Sequence, residues 1–201
     1  MLSVVLPDGA ARKPALDLFA AAGLTVRRPS RRALRGKVDD PRVDQVYILP
    51  APQIPRYLER GRFDLGITGR DRGHRTAVSV ISLGELCLPG PPSDLVAPME
   101  LLASRRAHRD TVKRSAMDDL MTLLSGAVHA GRKTLLKVRV PEARLVAVTE
   151  ILAALTRPTS VPLLGGGEHA VEAVVDRRDI SVLVPALKRA GAISIMEIPT
   201  R

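Results

Sequence analysis

The residues 63–71 run Phe63-Asp64-Leu65-Gly66-Ile67-Thr68-Gly69-Arg70-Asp71: an apolar stretch that exits through a hydroxyl, a glycine and two charges. A buried strand over 63–68 would present Thr68 and the Gly69 backbone at its carboxyl end. Ligands of open α/β sheets sit there, and both groups can donate to an anion. The plainer reading is a tight strand exit with glycine supplying positive φ. A second concentration of chemistry is Arg27, Arg28, Arg31, Arg32, Arg35 and Lys37. Guanidinium forks at this density can grip phosphates. They can equally be a solvated loop, partly neutralised by Asp39 and Asp40. Gly165-Gly166-Gly167 is followed by strand-like sequence and not by Gly-Lys-Ser/Thr, so a hairpin turn is expected there and not a phosphate cradle. His74, His108, His129 and His169 include no pair three to five residues apart, so no metal site is predicted. Cys87 lies in a proline-rich stretch with no nearby histidine, and an inert thiol is expected. No residue is assigned a catalytic role.

The elements that must position these groups alternate in type. Apolar runs over 2–6, 43–49, 63–68 and 78–83 predict strands, and 3.6-residue spacing over 14–22 and 52–60 predicts helices ending at Gly23 and Gly61. Strands alternating with helices imply an α/β unit. Gly84, Pro89, Gly90, Pro91, Pro92 and Pro98 then crowd residues 84–98, which predicts a loop or linker. A strand is expected within 95–103. A long helix over 110–128 follows, with Asp110 as N-cap and Val112, Ala116, Leu120, Leu123, Leu124 and Ala127 as its stripe. The last seventy residues predict strands at 134–140, 159–163, 170–175 and 192–198 and helices at 142–155 and 177–190. That order is β-α-β-β-α-β, the ferredoxin-like split unit. The expected domains are an α/β domain over 1–106, a connector helix over 107–131 and a ferredoxin-like domain over 132–201.

Composition narrows the classes. The chain has 201 residues, 45% hydrophobic and 26% charged, which suits a folded core and not a disordered chain. No apolar run approaches the ~20 residues of a membrane span, and no signal peptide is recognisable; a cytoplasmic location without membrane attachment is expected. Thirty-one basic residues stand against twenty-one acidic ones, for a net charge of +10. The excess is spread along both halves, so there is no basic tail. A polyanionic partner is one reading, but Phe19, Tyr47, Tyr57 and Phe63 are too few to build a base-stacking platform, which weighs against nucleic acid.

Several stretches together resemble the ATP phosphoribosyltransferase family in its long form. The opening strand ends in Leu6-Pro7-Asp8-Gly9-Ala10, where the family has Pro-Lys-Gly-Arg. Ser30-Arg31-Arg32-Ala33-Leu34 is similar to its Ser-Arg-x-Leu segment, and Pro50 through Tyr57 to its Arg-Pro-x-Asp-Ile-Pro-x-Tyr. Gly61 through Asp71 matches Gly-x-x-Asp-Leu-Gly-Ile-Thr-Gly-x-Asp. Residues 157–163, 170–175 and 186–192 look like the family's C-terminal regulatory domain. The resemblance implies an N-terminal periplasmic-binding-protein-like α/β domain followed by the ferredoxin-like one. It implies the reaction of ATP with phosphoribosyl pyrophosphate (PRPP) to phosphoribosyl-ATP and pyrophosphate, in histidine biosynthesis, with Mg²⁺. Carried over by position, Arg31, Arg32, Thr68, Gly69 and Asp71 would bind nucleotide, and Leu155, Thr159 and Ser194 would bind histidine.

The departures shape the expectation. The family's second lobe, with its PRPP loop, has no counterpart here; the short segment 84–98 takes its place. Basic residues are missing at Asp8 and Pro50, an acid at Gln53, and Arg139 stands where a small polar or acidic residue is usual. The expected role is a regulatory or scaffold subunit, forming homo-oligomers or pairing with a full-length family member, with ATP and histidine as candidate ligands. The alternatives are a transferase completed by another chain, and a basic nucleotide- or nucleic-acid-binding module.

Overall fold

The computed structural model describes residues 1–69, 79–86 and 98–200. Asp71, Arg70, His74, Cys87 and the core of the proline-rich segment lie outside them. The described residues divide into two compact units, 1–128 and 129–201.

In the first unit, β1 (Leu2–Pro7) has Leu2, Val4, Val5 and Leu6 buried, the two-sided burial of a central parallel strand. Helix α1 (Arg12–Ala21) buries Ala15, Leu18 and Phe19 and gives way to Gly23 at φ +78°. A two-residue strand, β2 (Arg35–Gly36), precedes β3 (Val43–Leu49) and α2 (Ile54–Glu59), which stops at Gly61 with φ +64°. Then come β4 (Leu65–Gly69), β5 (Val80–Leu86) and β6 (Met99–Ser104). The sheet order is β2-β3-β1-β4-β6-β5; β3, β1 and β4 run parallel and the other pairs antiparallel. Gly66 lets α2 lie close, since a Cβ there would meet Ile54 Cγ2 at 2.7 Å and Val5 Cγ1 at 2.9 Å.

Three local expectations change. Gly84, Glu85 and Leu86 belong to β5 and not to a loop, and Leu86 pairs in register with Met99. A short helix, α3 (Arg105–Arg109), follows β6 because Ser104 Oγ accepts from Ala107 N at 3.2 Å. The long helix α4 (Thr111–Gly131) does start at Asp110, whose Oδ1 accepts from Val112 N and Lys113 N. Its buried stripe is Met117, Leu120 and Leu124, while Val112 and Leu123 are exposed. Through those three residues it joins the core of Leu2, Phe19, Leu65 and Ile67, and the unit boundary falls after Val128.

The second unit is β7 (Lys133–Pro141), α5 (Leu145–Ala153), β8 (Thr159–Pro162), β9 (Glu168–Asp176), α6 (Ile180–Arg189) and β10 (Ser194–Pro199). Its antiparallel order β10-β7-β9-β8 is the ferredoxin-like arrangement. Both helices cover one face, through Val148, Leu152, Leu183 and Leu187 on Leu136, Val138, Val171 and Val175. Gly165, Gly166 and Gly167 all have positive φ and join β8 to β9, the expected hairpin.

Candidate functional site

The parallel strands β1, β3 and β4 finish at one end of the first sheet. Pro7 pairs with Leu49, and Asp8 N donates to Leu49 O at 2.7 Å. Beside them, Thr68 is 9% exposed and its Oγ1 donates to Ala51 O at 3.3 Å. A Cβ added at Gly69 would meet nothing within 4 Å, so the strand exit opens on free space. Residues before Leu34 run to this same end, because β2 is antiparallel to β3 and Ile48 N donates to Leu34 O. The structure therefore places Arg31 and Arg32, both exposed, ahead of β2 and Thr68 with Gly69 at the exit of β4, at the same end of the sheet but with β3 and β1 between them.

That edge carries its own carboxylate. Asp8 accepts from Gly9 N at 2.6 Å and pairs with Arg12 Nη2 at 2.5 Å. The Gly9 N–H, and then the Arg12 guanidinium, hold its carboxyl below the usual carboxylate range. A negative charge thus sits where the resemblance leads one to expect a lysine, and its partner Arg12 is the cation nearest to it. The acid of the strand motif, Asp64, faces inward instead. It accepts from Ser3 N at 2.9 Å, Ser3 Oγ at 3.0 Å and Lys113 Nζ at 2.8 Å. Its work is to tie β1, the start of β4 and α4 together.

The basic cluster divides. Arg28 Nη1 donates to Arg31 O and Ala33 O, which shapes the turn ahead of β2. Arg27, Arg28, Arg35 and Lys37 line a cavity of about 690 Å³ with Gly36, Asp39 and Gln45. Arg31 and Arg32 do not line it. Sequence reasoning located the cluster but not this split, because a two-residue strand and a single backbone bridge leave no periodic signal.

In the second unit, Thr159 opens β8 and Ser194 opens β10, the two opposite edges of the sheet. By register, Thr159 pairs with Glu172 and Ser194 with Arg139. Both lie on the face away from the helices, with β7 and β9 between them, about 14 Å apart at ordinary strand spacing. Leu155 follows α5 and is 55% exposed. One chain does not bring these three predicted residues into a single pocket. Arg139, which stands where the resemblance leads one to expect a small polar or acidic residue, is paired through Nε with Glu168 Oε2 at 3.2 Å. Lys137 pairs with Glu172 at 3.0 Å on the same face.

Among the described residues no helix is long and apolar enough to cross a membrane, and no three His, Cys, Asp or Glu side chains come together as a metal site.

Residues 130–201 match the family model "HisG, C-terminal domain". Over nearly its whole length the chain is similar to ATP phosphoribosyltransferases. It is 24% identical to that of Chlorobium chlorochromatii over 282 residues, covering 98% of this chain and 95% of the relative. It is 25% identical to that of Pelotomaculum thermopropionicum over 285 residues, covering 98% and 97%. A solved structure, the ATP phosphoribosyl transferase (HisG:HisZ) complex from Thermotoga maritima, matches at 12% identity with a TM-score of 0.50. That match covers 64% of this chain and 99% of that one, and it speaks for the fold alone.

Proposed function

We propose that this chain works in histidine biosynthesis as a member of the ATP phosphoribosyltransferase family, as a regulatory or scaffold subunit without the family's second lobe. One observation carries the reading. The alignment with the Chlorobium relative spans 282 positions, and 98% of 201 residues is about 197, so about 85 positions of that alignment have no residue of this chain. Transfer of a phosphoribosyl group needs two anionic substrates held in line and donors on the developing pyrophosphate. On this reading the carboxyl end of the first sheet forms one side of such a cleft, where Arg31, Arg32, Thr68 and Gly69 would meet the phosphates of ATP and Asp71, carried over by resemblance, would meet another part of the nucleotide. Asp8 at the same edge opposes them. Mg²⁺ would enter with the substrate phosphates, as the described residues offer no cage for it.

Histidine is the ligand proposed for the second unit. Thr159 and Ser194 share a face but occupy opposite edges, so a pocket that used both with Leu155 would draw residues from two copies of the chain. Histidine binding and self-association then go together.

A second reading has its own support: the Gly61–Gly69 segment contains a buried strand that finishes at the same end of the sheet as β1 and β3, which suits a transferase completed by another chain. The test is direct. The purified chain is given ATP, PRPP and Mg²⁺ and assayed for phosphoribosyl-ATP, alongside thermal-shift measurements with ATP, PRPP and histidine. A rise in melting temperature with histidine and no product supports the regulatory subunit. Product formed by the chain alone overturns it. A rate for the mixture of this chain with a full-length relative that exceeds the relative's own rate supports the second reading.

A further inference from the structure

We propose that the cavity lined by residues 27–29, 35–39 and Gln45 is a separate binding site for a small ligand bearing a di- or triphosphate group. The inference rests on the pairing of two cations. Arg27 and Lys37 form an antiparallel bridge, Arg27 N donating to Lys37 O at 2.8 Å and Lys37 N to Arg27 O at 3.0 Å. Their side chains leave the backbone from directly opposed positions, and like charges so placed are destabilising. Among the described residues neither has an acidic partner. Gly36 tightens the arrangement: a Cβ there would meet Val26 Cγ1 at 2.8 Å and Arg27 O at 2.9 Å. A buried glycine thus holds two unpaired cations together.

The other two cations are fixed by neutral partners. Arg35 Nε donates to Gln45 Oε1 at 2.6 Å, and its guanidinium lies 5.2 Å from the centre of the Tyr47 ring. Arg28 is held by two backbone carbonyls. Four cations therefore face one cavity against the single carboxylate of Asp39. Prepositioned guanidinium groups suit the oxygens of a phosphate chain, and about 690 Å³ is within the range of small-ligand pockets.

The location separates this site from the strand ends already described. Gly36 pairs with Val46, so Lys37 and Gln45 lie toward the amino end of β3, away from Leu49. A single strand of nucleic acid fits less well. The cations converge on a concavity and do not form a stripe, and Tyr47, Tyr57 and Phe63 pack on one another and offer no row of open rings.

The experiment is calorimetric titration of the full chain with inorganic pyrophosphate, tripolyphosphate and a twelve-nucleotide oligouridine. Two double variants are compared, Arg27→Ala with Lys37→Ala, and, as a control outside both sites, Arg60→Ala with Arg62→Ala. All four residues are exposed, and circular dichroism verifies that both variants fold. The expected result is tighter binding of tripolyphosphate than of pyrophosphate, a loss of at least about tenfold in the first variant, and a change below about threefold in the second. Absence of binding at millimolar tripolyphosphate overturns the proposal. So does an equal loss in both variants, or tighter binding of the oligonucleotide.

Discussion

Removing the Asp64 carboxylate should unfasten the first unit without touching any ligand. Three groups donate to it: Ser3 N, Ser3 Oγ and Lys113 Nζ, all within 3.0 Å. The Asp64 side chain is 16% exposed and that of Lys113 is 32% exposed. In Asp64→Ala the Ser3 N–H loses its acceptor, which costs about 1–3 kcal/mol. The partly exposed ion pair adds up to about 1 kcal/mol. The sum is about 1–4 kcal/mol, or about 2–16 °C in melting temperature for a chain of this size. Asp64→Asn keeps an acceptor for Ser3 N and loses only the charge, so about half of that destabilisation is expected. Urea unfolding followed by tyrosine fluorescence measures it. Tyr47 and Tyr57 are the two tyrosines of the chain, and both report on the first unit. If Asp64→Ala lies within about 0.5 kcal/mol of the parent, or if the asparagine variant is as damaged as the alanine one, the carboxylate is not a structural tie.

Gly66→Ala should destabilise the same unit by about 1–3 kcal/mol, because the new methyl meets Ile54, Val5 and Leu58 within 3.1 Å; the same urea titration measures it, and an unchanged midpoint would refute the close packing of α2. Gly36→Ala should weaken tripolyphosphate binding, since its methyl would press on the Arg27 carbonyl at 2.9 Å and disturb the paired backbone. Acid titration tests Asp40. The Arg42 side chain, with the Arg42 N–H, holds its carboxyl below the ordinary value of 3.8. The folded state therefore gains stability from this pair above that value, and loses it as pH falls through the lower folded pKa. Asp40→Asn should flatten the loss of stability below about pH 4; an acid profile parallel to the parent would contradict the assignment.

The fold was legible where burial is periodic. Strands at 2–7 and 65–69 announce themselves by largely apolar runs, that at 43–49 by its Val46-Tyr47-Ile48-Leu49 half, and the β-α-β-β-α-β order by its glycine and proline punctuation. Helix α3 was not legible: its five residues Arg-Arg-Ala-His-Arg bury only Ala107, and only the Ser104 cap marks it. The stripe of α4 was legible at Ala116, Leu120, Leu124 and Ala127, but Val112 and Leu123 face outward and Met117 turns inward. Of the candidate site, Thr68 and Gly69 could be placed at a strand end from sequence. The convergence of Arg31 and Arg32 on that end could not, since it depends on the antiparallel sense of a strand two residues long. The separation of Thr159 from Ser194 follows from the sheet order of the ferredoxin-like unit, which puts β8 and β10 at opposite edges although each carries one of the two residues at its start.

Leu86 and Met99 face each other across an antiparallel pair, so the chain leaves β5 and re-enters β6 through adjacent doors. The ends of whatever joins them are already together. Closure entropy grows only by about 0.6 kcal/mol for each doubling of a flexible connection, so this junction tolerates great differences in what hangs from it. An independently folding module could be spliced in or excised there while all six strands keep their partners. Grafting a relative's intervening segment between Leu86 and Met99 therefore asks whether the first sheet can support the transferase reaction proposed for it.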